Sequence, residues 1–193
     1  MYNKTNRWYR CAVLGILAIL FIFTLLKNMG YLRLWIDGLH YFDSDVYLYK
    51  SDILDSEHFI DINLENLNEN IGKVLFEDDN SKIVVSDIND NNGVYEILFR
   101  SYGSYSLDGA VLVSGVKHIK TDKGYFADLV AIAYTEYNGK VYKADISSIS
   151  NLIYKDGDNF GFYIFPYAEI FEEGRYNVII KMEGLCKNQW IRK

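Results

Sequence analysis

The hydrophobic pattern divides the chain into two unlike parts. Cys11 to Leu26 is a run of 16 residues without a charge, bounded by Arg10 and Lys27. A helix needs roughly 17–25 apolar residues to cross a hydrocarbon core of ~30 Å. Trp8 and Tyr9 before the run, and Met29, Tyr31 and Leu32 after it, extend it with side chains suited to the interface. The expectation is an uncleaved signal anchor. A cleaved signal peptide and a buried soluble helix are the alternatives. No A-x-A-like site follows Leu26, Cys11 precedes the run where a lipobox cysteine would follow it, and no second long helix is visible as a packing partner.

Beyond residue 33 the period changes from helical to alternating. Ile83 and Val85 share one face of Lys82–Asp87, and Tyr95, Ile97 and Phe99 one face of Val94–Arg100. In Arg175–Glu183, Tyr176, Val178, Ile180 and Met182 oppose Arg175, Asn177, Lys181 and Glu183. Asn138-Gly139 joins Leu129–Tyr137 to Lys140–Asp145 and signals a two-residue hairpin. Glu77–Asn80, Asp87–Gly93 and Asp156–Asn159 mark other turns. These signals predict about seven to nine short antiparallel strands between Lys73 and Cys186. Further strands are expected at Leu34–Asp37 and Asp45–Lys50, and one short helix or irregular strand at Asn63–Ile71. The fold class is therefore mainly β: an N-terminal transmembrane helix followed by an immunoglobulin-like antiparallel β-sandwich. The expected divisions are 1–33 for the cytoplasmic tail and anchor, 34–71 for a membrane-proximal segment that either joins the sandwich or forms a stalk, and 72–193 for the sandwich.

Charge sharpens this division. The first 33 residues carry five basic side chains and no acid, so the net −6 of the chain leaves −11 for the rest. An acidic domain excludes nucleic acid as the expected partner and disfavours lying flat on anionic lipid. Three basic residues before the run and two after it favour a cytoplasmic N-terminus. The expected location is the plasma membrane, single-pass, with the C-terminal domain extracytoplasmic. The abundance of Asn, Ile, Lys and Tyr reads as a low-GC genome, and the lack of an N-x-S/T acceptor in the C-terminal domain fits a bacterial envelope.

Candidate chemistry is sparse. Cys11 and Cys186 lie at different levels of the expected topology and form no disulfide framework. His40, His58 and His118 sit in no zinc motif. Asp87, Asn89 and Asn91 begin like a calcium loop, but Leu98 stands where a bidentate glutamate is required. Asp156–Asn159 could offer oxygen ligands but is more simply a turn. Ser101–Ser106, with His118 and Asp122, would supply the members of a catalytic triad without any motif that joins them. No metal, cofactor or catalytic residue is assigned, and the chain is not expected to be an enzyme. Tyrosine is the remaining feature, with 17 residues. Tyr102, Tyr105, Tyr125, Tyr137 and Tyr142 are the candidate ligand-binding residues. Tyrosine fills interfaces at low entropic cost, and it also half-buries on pleated faces.

The segments Gly161–Pro166 and Phe171–Ile180, preceded by Tyr142–Ile149, resemble the last strands of immunoglobulin-like accessory modules in bacterial cell-envelope polysaccharide proteins. The resemblance covers about 40 residues and implies a fold without a reaction. The function expected is a membrane-anchored extracytoplasmic binding or accessory module of the bacterial envelope, for a glycan or a protein ligand. The membrane itself is a partner through residues 11–26. The alternatives are a structural subunit of a larger membrane complex, and an envelope enzyme without a recognisable motif.

Overall fold

The computed structural model describes residues 3–91, 93–121, 124–164 and 177–193. The chain begins with helices α1 (Asn3–Asn28) and α2 (Tyr31–Asp37) and a 3₁₀ turn (Gly38–Phe42). Then come β1 (Tyr47–Ile53), β2 (Glu57–Asn63), a second 3₁₀ turn (Leu67–Asn70), β3 (Val74–Glu77), β4 (Lys82–Asn91) and β5 (Val94–Tyr102). The middle holds β6 (Ser104–Ser106), β7 (Gly109–Ser114), β8 (Val116–Thr121), β9 (Gly124–Leu129), β10 (Ile132–Tyr137) and β11 (Lys140–Lys143). The last are β12 (Asp145–Ile149), β13 (Asn159–Tyr163), β14 (Asn177–Glu183) and β15 (Cys186–Arg192). The protein is mainly β, with antiparallel pairing throughout the described strands, as the alternation predicts.

Helix α1 contains one stretch, Trp8–Asn28, long and apolar enough to cross a membrane. Its 21 residues span ~31 Å at ~1.5 Å per residue. None of it is buried against the rest of the chain. Thr24 donates its hydroxyl to Leu20 O (2.8 Å), so its polar atom is satisfied within the helix.

Among the described residues two hydrophobic cores form. The larger lies among the sheet β12-β13-β5-β4-β3 and the sheet β11-β10-β14-β2. Ile83, Val85, Ile97 and Phe99 from one and Ile60, Ile62, Val178, Ile180 and Met182 from the other belong to it. The smaller core joins the sheet β1-β15-β7-β6 to the N-terminal elements. Leu34, Leu39 and Phe42 pack there with Tyr47, Leu112, Leu152 and Trp190.

One expectation changes here, and one open alternative is resolved. Leu34–Asp37 is helical, because Leu34 anchors one face of α2 in the smaller core while its neighbours stay outside. Residues 47–63 are full members of the sheets, since β1 pairs with β15 and β2 with β14. More strands occur than the turn signals predict, because extended runs break at bends: β5 from β6 at Gly103, β7 from β8 at Gly115, β11 from β12 at Ala144. Asn63 acts as a local cap, its Oδ1 accepting from the N–H groups of Glu65 (2.9 Å) and Asn66 (3.4 Å), but only a 3₁₀ turn follows. Residues 165–176, part of the segment that carries the immunoglobulin-like resemblance, lie outside the described residues.

The membrane-proximal segment is docked. Met29 and Gly30 alone separate α1 from α2, and Gly30 takes a left-handed φ of 84° while accepting the Leu34 N–H (2.9 Å). Gly38 (φ 57°) lies against the Lys155 backbone, and Leu39 N–H bonds to Lys155 O at 2.7 Å. Lys155 Nζ reaches the Trp35 carbonyl (3.2 Å) and lies 5.2 Å from the indole centroid.

Candidate functional site

The densest polar chemistry lies where β7, β8, β15 and the turn before β13 meet. Asn188, on β15, is fully buried. Its Nδ2 donates to Val116 O (3.0 Å) and more weakly to Leu112 O (3.4 Å). Its Oδ1 accepts from the His118 N–H (3.3 Å) and from Tyr49 OH (2.6 Å). One side-chain amide thus stands in for a peptide group along β8 and ends the ladder there. Tyr49 OH also accepts from His118 N–H (3.1 Å), and burial pushes its pKa up to about 12.

His118 and Asp158 are both 0% exposed, with Nε2 and Oδ2 2.6 Å apart. Asp158 Oδ1 accepts from Ser114 Oγ (2.7 Å), and His118 Nδ1 lies 3.2 Å from Asn151 Oδ1. The aspartate stands between serine and histidine, so the imidazole cannot take the serine proton directly, as nucleophilic catalysis requires. All three side chains are sealed from solvent. The group closes the junction between the cores.

Arg100 joins the same turn from the other side. Its Nη1 donates to Ser101 O (2.6 Å) and Asp158 O (3.0 Å), and its Nη2 pairs with Asp156. The guanidinium lies between Tyr154 (3.6 Å) and Tyr102 (4.6 Å). Asp156 and Asp158, offered above as oxygen ligands, are engaged in this way. Among the described residues no group of three His, Cys, Asp or Glu converges on a metal position.

The serines of Ser101–Ser106 are not activated. Ser101 is buried and its hydroxyl has no hydrogen-bond partner. Ser104 Oγ donates to Asn80 Oδ1 (3.2 Å), and Ser106 Oγ accepts from Asp108 N–H (3.2 Å). Asp122 lies outside the described residues.

The five tyrosines do not gather. Tyr105 and Tyr125 pack on the smaller core, where Tyr125 OH accepts from Trp190 Nε1 at 2.7 Å. Tyr137 is 3% exposed in the larger core. It flanks the Asn138-Gly139 turn, but alternation along β10 turns it inward with Ala133 and Thr135. Tyr142 packs against the same core opposite Thr135. Tyr102, 39% exposed, is stacked on Arg100.

The solvent-facing feature that alternation along single strands did not reveal is a groove of about 470 Å³ between β1 and β8. Tyr47, Leu48, Tyr49 and Ile119 line it together with Lys117, Lys120, Lys193 and Asp45. Among the described residues β1 ends its sheet and β8 pairs only with β9. Lys193 N–H bonds to Val46 O (3.0 Å), so alternation turns the backbone groups of Tyr49 and Ser51 toward the open side. Beside the groove, Phe126 is 61% exposed and sits opposite Ile119 on the β8–β9 ribbon.

No protein-family model, curated protein or solved structure matches the chain.

The groove was hidden in the sequence because β1 and β8 lie about 70 residues apart and meet through the bond from His118 to Tyr49.

Proposed function

We propose that the chain is a single-pass, membrane-anchored binding module of the bacterial envelope, with its β domain outside the cytoplasm, and that it holds an extended acidic segment of a partner protein. The observation that carries this reading is the groove between β1 and β8. An open strand edge offers main-chain hydrogen bonds to an added strand, and flanking pockets select its side chains. Leu48, Ile119 and Phe126 supply apolar contact. The three lysines outnumber Asp45 in the lining, and Lys120 is paired with Asp43 (3.6 Å), which leaves Lys117 and Lys193 as the cations that favour a segment bearing Asp or Glu on a domain of net −11. A protein ligand is preferred over a glycan because Tyr105, Tyr125, Tyr137 and Tyr142 pack on the cores, and the exposed Tyr102 is stacked on Arg100.

The test is site-specific photocrosslinking in intact cells. A photoreactive residue at position 119 should give one discrete adduct, mapping to an extended acidic stretch of the captured protein. The adduct should fall roughly tenfold with Lys117→Glu plus Lys120→Glu, a loss on the order of one to two charge contacts. A probe at Phe59, on another sheet, should give none. Equal capture at both positions, or retention of a polysaccharide fraction without protein capture, would defeat this reading.

A further inference from the structure

A second cleft, of about 330 Å³, opens where α1 ends. Met29, the first residue after the apolar stretch, lines it, so its mouth lies within one turn of the end of the candidate span. Arg33 from α2 and Arg192 from the end of β15 line it, together with Tyr41, Ser44 and Tyr47. These arginines belong to elements far apart in sequence that are brought together by the smaller core. Arg33, whose side chain is 69% exposed, pairs with Asp37 Oδ2 (3.2 Å) one turn along α2 and lies 5.9 Å from the Tyr41 ring centroid, so an incoming phosphate exchanges with that carboxylate.

The surface beside this cleft has the chemistry of a membrane interface. Trp35 is 72% exposed, and Tyr31 and Ile36 are also exposed. Tyr31 and Trp35, four residues apart, share one side of α2, while Leu34 is sunk in the smaller core. Tryptophan and tyrosine concentrate at headgroup level, where a ring is half apolar and half wet. Lys27 and Lys155 add positive charge at the same end. The acidic bulk of the domain does not oppose this, because charges beyond about 8 Å are screened at physiological salt.

We propose that this cleft is a phospholipid-headgroup site, in which Arg33 and Arg192 hold the phosphate of a lipid from the bilayer that α1 crosses while Trp35, Tyr31 and Ile36 sit in the interface. The occupant follows from chain continuity: the cleft begins at the residue after the apolar span, and a phosphodiester is the anion present at that level. Paired guanidiniums suit phosphate oxygens, which accept two parallel N–H bonds from each fork. The domain is thereby seated on the membrane and does not hang from it.

This inference rests on the anchor reading, and the test separates the two. The full chain is placed in nanodiscs of phosphatidylcholine with added phosphatidylglycerol, then released and examined by native mass spectrometry. One phospholipid per chain should remain bound. Arg33→Gln with Arg192→Gln should lower that occupancy roughly tenfold or more, because two charge-assisted contacts are lost. Lys140→Gln, at a distant hairpin, should leave it unchanged. In a Trp8→Phe background, Trp35 should be quenched by brominated lipid, while Trp190 is buried. No retained lipid, or equal retention in the double variant, overturns the headgroup site. Competition by inorganic phosphate without lipid retention identifies a free-anion site and also overturns it. Failure of the chain to enter nanodiscs is the separate failure of the anchor.

Discussion

At the residue scale, Tyr49 carries more than one duty. Its ring packs 5.4 Å from Trp190, and its hydroxyl joins Asn188 to the β8 backbone. Replacing it with phenylalanine keeps the packing and strips two partners. Tyr49→Phe should destabilise the full chain in detergent by about 1–3 kcal/mol at neutral pH, read by chemical denaturation. The same hydroxyl gives a pH signature. The unfolded tyrosine loses its proton near its ordinary pKa of 10, whereas the folded one keeps it until about 12. The unfolded state therefore binds fewer protons in that window, and stability falls as pH rises through it. The slope between pH 10 and 12 should be shallower in Tyr49→Phe. Equal slopes would mean that the hydroxyl is not buried as described. Cys186 points the same way: it is fully buried with Sγ 2.6 Å from Ser51 Oγ, and burial pushes its thiol pKa up.

At the scale of elements, the connection between α2 and the β domain depends on a glycine. A side chain at Gly38 would need a left-handed backbone, and its Cβ would fall 2.1 Å from Lys155 O. Gly38→Ala should cost at least about 2 kcal/mol and expose residues 30–45 to protease, seen as a lowered Tm and a new early cleavage. An unchanged Tm and digestion pattern would show that α2 is not held there. What the sequence disclosed follows the same logic. The alternation in Asn177–Glu183 survives as β14 because one face is buried along its whole length. Asn138 (φ 51°) and Gly139 (φ 72°) form the expected turn because the local chemistry demands it. Leu34–Asp37, the second half of α2, reads as a strand in the sequence because seven residues are too few to show a helical period, and its form is fixed by what Leu34 touches. The buried group of Tyr49, His118, Asp158 and Asn188 was illegible for a different reason. Its members are up to 139 residues apart, and no local pattern links them.

At the scale of the whole molecule, the unequal charge of the two parts and the bare apolar surface of α1 predict one topology. With an epitope tag after Lys193, protease added to intact cells should remove the tag, and the anchored species should stay with the membrane fraction through carbonate extraction. A protected tag would reverse the proposed orientation, and release by carbonate would remove the anchor. The short turn at Met29–Gly30 then has a consequence for how a partner is found. With α1 in a bilayer, the groove is carried at one altitude, travels only as the helix drifts in the plane, and changes heading only as the helix spins. The search becomes two-dimensional. A segment displayed at that altitude meets the groove often even when its intrinsic affinity is weak, and one held a few nanometres higher never does.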